Sequence, residues 1–253
     1  MTDFCPECGG TGFVLRDAGG GVKRAVRCPC ERAGADHRRL EAARIPKRYT
    51  ACSLESFQPQ DTVLQDLAKR IAQHFLEEFP LGSGSTGLLF LGPPGVGKTH
   101  LAVSILSGLV LEKSVRGIFF DYGDLLRTIQ STWDKDSEIS ESSVLDPVMT
   151  ADVLLLDDLG ATRPSLWVQE ILFHILNTRY NEERVTLLTS NHPDLSSEAG
   201  ASAGRIRDLQ DASLEHQIGS RLRSRLHEMC RTIEMDGVDF RRTYKKANYS
   251  AGR

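Results

Sequence analysis

Gly92, Pro93, Pro94, Gly95, Val96, Gly97, Lys98 and Thr99 form a run in which glycines alternate with stiffer residues and a lysine and a hydroxyl close the pattern. Glycines let successive backbone N–H groups converge on phosphate oxygens, and a helix opening at Lys98 adds the partial positive charge of its N-terminus. Lys98 would reach the outer phosphates of a nucleoside triphosphate, the Thr99 hydroxyl would coordinate Mg2+, and the loop through His100 would bind the nucleotide. A second requirement of ATP hydrolysis is an acid at a strand end. Asp157 and Asp158 follow four apolar residues, at the edge where ligands bind in open α/β sheets. Asp157 would complete the magnesium shell. Asp158 would act as base or water-positioning carboxylate, and slowly, being one methylene shorter than Glu. The alternative for the pair is a helix N-cap.

Leu187-Leu188-Thr189-Ser190-Asn191 places an amide at a further strand end, where it would hold the attacking water, although Asn191-His-Pro is also a good turn former. Arg221 and Arg225 stand four apart on one helical face, with Arg223 on another. A planar guanidinium suits a γ-phosphate, and one supplied by a neighbouring subunit makes hydrolysis depend on assembly. A solvated basic helix, or a contact with nucleic-acid phosphates, explains the same arginines.

Four of the six cysteines, Cys5, Cys8, Cys28 and Cys30, fall in the first 30 residues as C-x2-C and C-x-C knuckles nineteen residues apart. Four thiolates can close a tetrahedral Zn2+ site, with His37 able to replace one ligand. The Gly-rich segment is short of apolar residues, so the metal would supply folding energy it otherwise lacks. Free or redox-active thiols are the other reading. Arg16, Lys23, Arg24 and Arg27 could touch phosphates there, but only Phe4 and Phe13 offer stacking. Cys52 and Cys230 sit in apolar surroundings and read as core.

The elements that must position these groups follow from periodicity. Apolar residues at helical spacing predict helices over 61–79, 98–111, 122–133, 165–180 and 214–226, with a charged helix over 33–44. Short apolar runs predict strands over 87–91, 115–121, 153–157, 185–190 and 230–235. Residues 134–143 and 200–204 read as polar loops. Strands apolar on both faces, separated by helices, argue for an α/β fold with a parallel five-stranded sheet flanked by helices. The domain reading is a zinc module over 1–35, a linker over 36–60, an ATPase domain over 61–245 and a flexible tail over 246–253.

The composition, 253 residues with 26% charged and 40% hydrophobic, is that of a globular chain. No apolar run approaches the roughly 18 residues of a membrane span, and the start lacks a leader, so a cytoplasmic protein without a membrane partner is expected. Net charge is -3, but residues 1–50 and 205–253 each carry +4. An acidic body with two basic ends suits a nucleotide-handling protein that approaches a phosphate backbone, or simply solvated faces. A pI near 6.2 gives no support for a strong DNA binder acting as a lone monomer.

In order and type these residues resemble the AAA+ ATPases, and more narrowly the DnaC/DnaI helicase-loader group and the related IstB-type transposition helpers. The match is carried by Ile45-Pro-Lys-Arg-Tyr-Thr, the loop 92–99, Asp152-Val-Leu-Leu-Leu-Asp-Asp-Leu-Gly and Leu187-Leu-Thr-Ser-Asn. The resemblance spans about residues 45–245. It implies Walker A at Lys98 and Thr99, Walker B at Asp157 and Asp158, sensor 1 at Asn191, and a trans-acting arginine finger at Arg225, with Arg221 second. Too little chain follows the last strand for a full C-terminal lid domain. The implied function is an ATP-dependent switch that assembles as a homo-oligomer on nucleotide or DNA and delivers a replicative helicase to single-stranded DNA. The zinc module would then dock partner or DNA. A transposition helper is the sister reading. From another class, a small-molecule kinase would explain the phosphate loop but not the paired aspartates, Asn191 and the arginines, and a module that only binds ATP is the third.

Overall fold

The structure, a computed structural model, describes residues 5–17, 19–60, 62–80, 82, 87–133, 140–162, 165–194 and 213–244. Five parallel strands make its centre: β3 (Gly87–Leu91), β4 (Gly117–Asp121), β5 (Val153–Asp157), β6 (Val185–Ser190) and β7 (Cys230–Glu234), in the order β4-β5-β6-β3-β7. All residues of β3, β5 and β6 are buried. That burial explains why these strands read as continuous apolar runs rather than alternating ones. Successive side chains still point to opposite faces. Leu88, Phe90, Val153, Leu155 and Leu187 face one core, with α2 (Val63–Glu78) and α3 (Lys98–Glu112). Leu89, Leu91, Leu154, Leu156 and Leu188 face the other, built by α4 (Tyr122–Ser131), α5 (Glu141–Thr150), α6 (Leu166–Asn181), α7 (Leu214–Ile218) and α8 (Ser220–Met229). α3 lies under α2 and α1 (Pro29–Ala42) and is apolar all round for that reason.

A two-stranded antiparallel hairpin, β1 (Phe13–Asp17) with β2 (Lys23–Arg27), precedes α1. Its strands gave no periodic signal because nearly every side chain is exposed; only Val14 and Val26, opposite one another, are half-buried. A final short helix, α9 (Phe240–Thr243), follows β7.

Four expectations shift. The charged helix starts at Pro29, not residue 33, because proline at its first turn follows extended Cys28. β4 starts at Gly117, since the Val115 N–H still donates to Leu109 O at 3.2 Å at the end of α3. Residues 140–143 open α5 instead of ending a loop: Ser140 accepts the Ser143 N–H at 3.2 Å as N-cap. The helix read over 214–226 is two, broken at Gly219, whose φ is 87°. The hairpin and α9 were not expected at all. Residues 134–139, 200–204 and 246–253 lie outside the described residues. Among those described, no helix is long and apolar enough to cross a membrane.

Arg179 on α6 is fully buried, with no ion pair to a carboxylate among the described residues. Its guanidinium donates instead to Val148 O at 3.0 Å, Ala151 O at 2.8 Å and Val185 O at 2.5 Å, and its Nε to Thr186 Oγ1 at 3.0 Å. A cation thus caps the carbonyl end of α5 and pins it to β6. Burial pulls its pKa down to about 9. Arg179→Leu is expected to lower stability by roughly 3 kcal/mol, since several buried carbonyls lose their donor at 1–3 kcal/mol each. Urea unfolding checks this; an unchanged midpoint would refute it.

Candidate functional site

The phosphate loop leaves the C-terminal end of β3 and turns into α3 at Gly97. Gly97 has φ 102°, and a Cβ there would lie 2.4 Å from the Phe57 ring, so both conformation and space exclude a side chain. His100 turns its ring away from the loop: Nε2 is 3.0 Å from Ser53 O and 3.1 Å from Ser56 Oγ, and the ring packs edge-on against Phe57. Only its main chain remains on the nucleotide side.

β6 lies between β3 and β5, and its end joins the two chemical edges. Lys98 Nζ donates to Gly92 O at 2.7 Å, Pro93 O at 2.8 Å and Asn191 Oδ1 at 2.7 Å. The Asn191 amide in turn donates to Asp158 Oδ1. Thr99 Oγ1 donates to Asp157 Oδ1 at 2.8 Å, and Thr189 Oγ1 donates to the same oxygen at 2.6 Å. The Asp158 N–H donates to Thr189 Oγ1 at 2.9 Å. Asp158 itself has φ 61°, a left-handed conformation uncommon outside glycine, which marks the turn that swings its carboxylate toward Asn191.

Lys98, Thr99, Asp157, Asp158 and Asn191 are therefore brought together at one edge of the sheet. Thr189 is the member that sequence reasoning passed over. A buried hydroxyl two residues before Asn191, next to Ser190 at the end of the strand, was its signal. The segment after β7 is another. Phe240 N–H donates to Gly95 O at 3.1 Å, bringing α9 onto the phosphate loop. Arg241 on that helix adds its positive charge beside Lys98. Its position follows from the docking of a remote segment, which leaves no local pattern.

Electrostatics fits a triphosphate. Burial, with a smaller contribution from Arg241, pulls Lys98 down to about 8 against the pull of Asp158 and Asp157. Burial raises Asp157, and the neighbouring Asp158 and Asp121 add to it despite the Thr189 and Thr99 hydroxyls. A hard cation at the paired oxygens of Thr99 and Asp157 would relieve that cost, and oxygen donors of this kind suit magnesium. One consequence is a pH dependence. The unfolded chain binds a proton on Lys98 that the folded chain releases near pH 8, so this group adds stability as pH rises from about 8 toward 10.5. ATP requires the charged form, so its affinity is expected to fall about tenfold per pH unit above 8, with proton uptake on binding. Calorimetry in buffers of different ionisation heat measures the uptake; Lys98→Met should abolish it.

Arg221 and Arg225 do not join this cluster. The Arg221 guanidinium lies 4.4 Å over the Phe173 ring and that of Arg225 4.1 Å over Tyr180, both on α6. Arg225 also donates to Glu228 Oε2 at 2.8 Å.

The four N-terminal sulfurs all lie within 4.8 Å of one another, with Cys5 and Cys28 at 3.8 Å and Cys8 and Cys30 at 3.4 Å. A tetrahedron with metal–sulfur bonds of about 2.3 Å has edges near 3.8 Å. The four thiols therefore fit one metal ion. Burial opposes ionisation of Cys8, but N–H groups of Gly12 and Gly10 and the Cys30 thiol outweigh it and bring Cys8 to about 7. His37 instead faces Glu41, 3.4 Å away.

A glycine-rich loop, an acidic strand end and a polar strand end on a parallel sheet of this order define a P-loop protein of the AAA+ class. Over residues 31–247 the sequence matches the family described as IstB-like ATP binding protein, and the chain belongs to that family. It is 27% identical over 214 residues to the uncharacterized protein YqaM of Bacillus subtilis (strain 168), covering 81% of this chain and 61% of that protein. It is 29% identical over 148 residues to the replicative helicase loader DnaC of Buchnera aphidicola subsp. Schizaphis graminum, covering 58% of each. It thus spans about 60% of the length of these two relatives. A crystal structure of the DnaC helicase loader superposes with a TM-score of 0.61 at 33% identity, over 75% of this chain and 99% of that one.

Proposed function

We propose that this protein hydrolyses ATP as a cytoplasmic AAA+ switch in DNA replication, and that it loads a replicative helicase onto single-stranded DNA. One observation carries the reading: the Thr99 hydroxyl and the Asp157 carboxylate are 2.8 Å apart while Lys98, Asn191 and Asp158 form a single hydrogen-bonded chain beside them. The loop's N–H groups and Lys98 bind the β- and γ-phosphates. Thr99 and Asp157 would hold Mg2+, which when bound neutralises charge on the phosphate oxygens. Asp158, oriented by Asn191, takes the proton of the attacking water, and Asn191 passes between Asp158 and Lys98 as the group that registers the γ-phosphate. Neither Arg225 nor Arg221 serves its own site. Each is instead available to the site of the next subunit in an oligomer built on nucleotide or DNA.

The helicase partner is supported by the relatives named as replicative helicase loaders and by the N-terminal cysteine module, which suits zinc and a docking role. The IstB-like family match favours a second reading, a transposition helper. Capture from the native extract, with and without ATP, separates the two: a replicative helicase retained with ATP supports the loader, and a transposase overturns it. The nucleotide site has its own test. Lys98→Ala is expected to weaken ATP binding by about a hundredfold with the fold retained, because it removes a charge-assisted contact to the phosphates. Retained affinity would refute the site.

A further inference from the structure

α8 divides its residues into three rows. Leu222, Leu226 and Met229 are buried in the core. Arg221 and Arg225 lie over the rings of α6. The third row, Arg223 and His227, converges on one carboxylate. Arg223 Nε donates to Asp194 Oδ1 at 2.5 Å, and His227 Nε2 lies 2.8 Å from Asp194 Oδ2. Arg223 Nη1 also reaches Glu215 Oε2 on α7 at 3.0 Å. The Asp194 side chain is only 9% exposed, and among the described residues these two cations are its ion-pair partners.

Asp194 stands three residues beyond Asn191, the amide that bridges Lys98 and Asp158. The backbone makes the same connection, since Leu214 N–H donates to Pro193 O at 3.0 Å. Packing adds a third link. Gly160, two residues after Asp158, has φ 87°, and a Cβ there would lie 3.0 Å from the His192 ring and 3.1 Å from Gln217 of α7. The acidic turn, the Asn191 strand end and the paired helices α7 and α8 are therefore packed directly against one another. Arg223 is spoken for by two carboxylates, whereas among the described residues Arg221 lies over Phe173 and Arg225 over Tyr180 with a surface pair to Glu228.

We propose that Asp194 is a positioning residue which, through Arg223, holds the helix bearing Arg221 and Arg225 to the strand end bearing Asn191, so that a subunit's own nucleotide site sets how it presents an arginine to its neighbour. This rests on the trans-acting arginine proposed above. Misplacing a charged group by about 1 Å costs on the order of a hundredfold in rate, so a loosened helix is expected to deliver a weak finger.

Mixed oligomers test it. The acceptor is an Arg225→Ala subunit, whose own site is intact. The donor is Asp158→Asn, which binds ATP but offers only its arginine, prepared with and without Asp194→Ala. The expected result is that the first donor restores hydrolysis, while the Asp194→Ala donor restores less than a tenth of that kcat, with the acceptor KM for ATP unchanged. A donor carrying Arg223→Gln should match it, and the double variant should be no worse than either. Equal rescue by donors with and without Asp194 overturns the proposal while leaving the trans arginine standing. No rescue by any donor overturns Arg225 as the trans arginine, and this proposal with it. Thermal unfolding of each donor, expected as one cooperative transition, shows that loss of rescue is not loss of fold.

Discussion

Alanine at Arg225 is expected to lower ATP hydrolysis by the assembled protein about a thousandfold, the scale of removing an arginine finger, while ATP still binds. The expectation follows from where the side chain lies. Its guanidinium rests on Tyr180 and pairs with Glu228 at the surface, so alanine there removes no buried partner and leaves the Lys98 cluster untouched. Loss of rate without loss of affinity means an interaction made only at the transition state. Mixing with an Asp158→Asn subunit should return activity, because one chain then contributes the site and the other the arginine. If the mixture stays inactive, Arg225 is not the finger. Arg221→Ala, whose side chain lies on Phe173 one turn away, is then the variant to examine.

The second large effect concerns the metal. Chelation, or Cys8→Ser, is expected to unfold the N-terminal hairpin while leaving ATP binding intact. Little else holds that segment: Phe13, Leu15 and Val22 are 54%, 68% and 64% exposed, and Cys8 and Cys28 are its buried hydrophobic residues. A structural zinc site supplies about 10–16 kcal/mol at neutral pH, far more than an exposed two-stranded ribbon supplies for itself. Amide spectra of the full chain should lose dispersion over residues 5–28 only, and metal analysis of untreated protein should find one zinc per chain. A hairpin that keeps its dispersion after complete metal removal would end this account. Capture of the helicase by the stripped protein would separately refute the docking role.

The loop 92–99 was readable because its chemistry is local. Eight consecutive residues dictate the turn, the N–H groups and the helix start, and no distant residue has to be known. The strand end at Asp157 was readable for a related reason: a buried parallel strand reads as an unbroken apolar run, so the polar residue that stops it stands out. The cysteine spacing was readable because four ligands in two close pairs suit one ion. The hairpin was hidden because exposed strands need no apolar alternation. The break at Gly219 was hidden because the apolar residues on either side keep helical spacing across it.

What the amino-acid order determined, then, was most of the strands and helices and the candidate groups at their ends. What only the folded chain decided was which groups share a hydrogen bond. Lys98 finds Asn191 across 93 residues and Thr99 finds Asp157 across 58, because the sheet inserts β6 between β3 and β5. The same crossovers bring Arg179 to the carbonyls of α5, Arg241 to the phosphate loop and Arg223 to Asp194. Such pairings depend on strand order and helix docking, which are set by burial of two whole core faces at once, and no single segment encodes them.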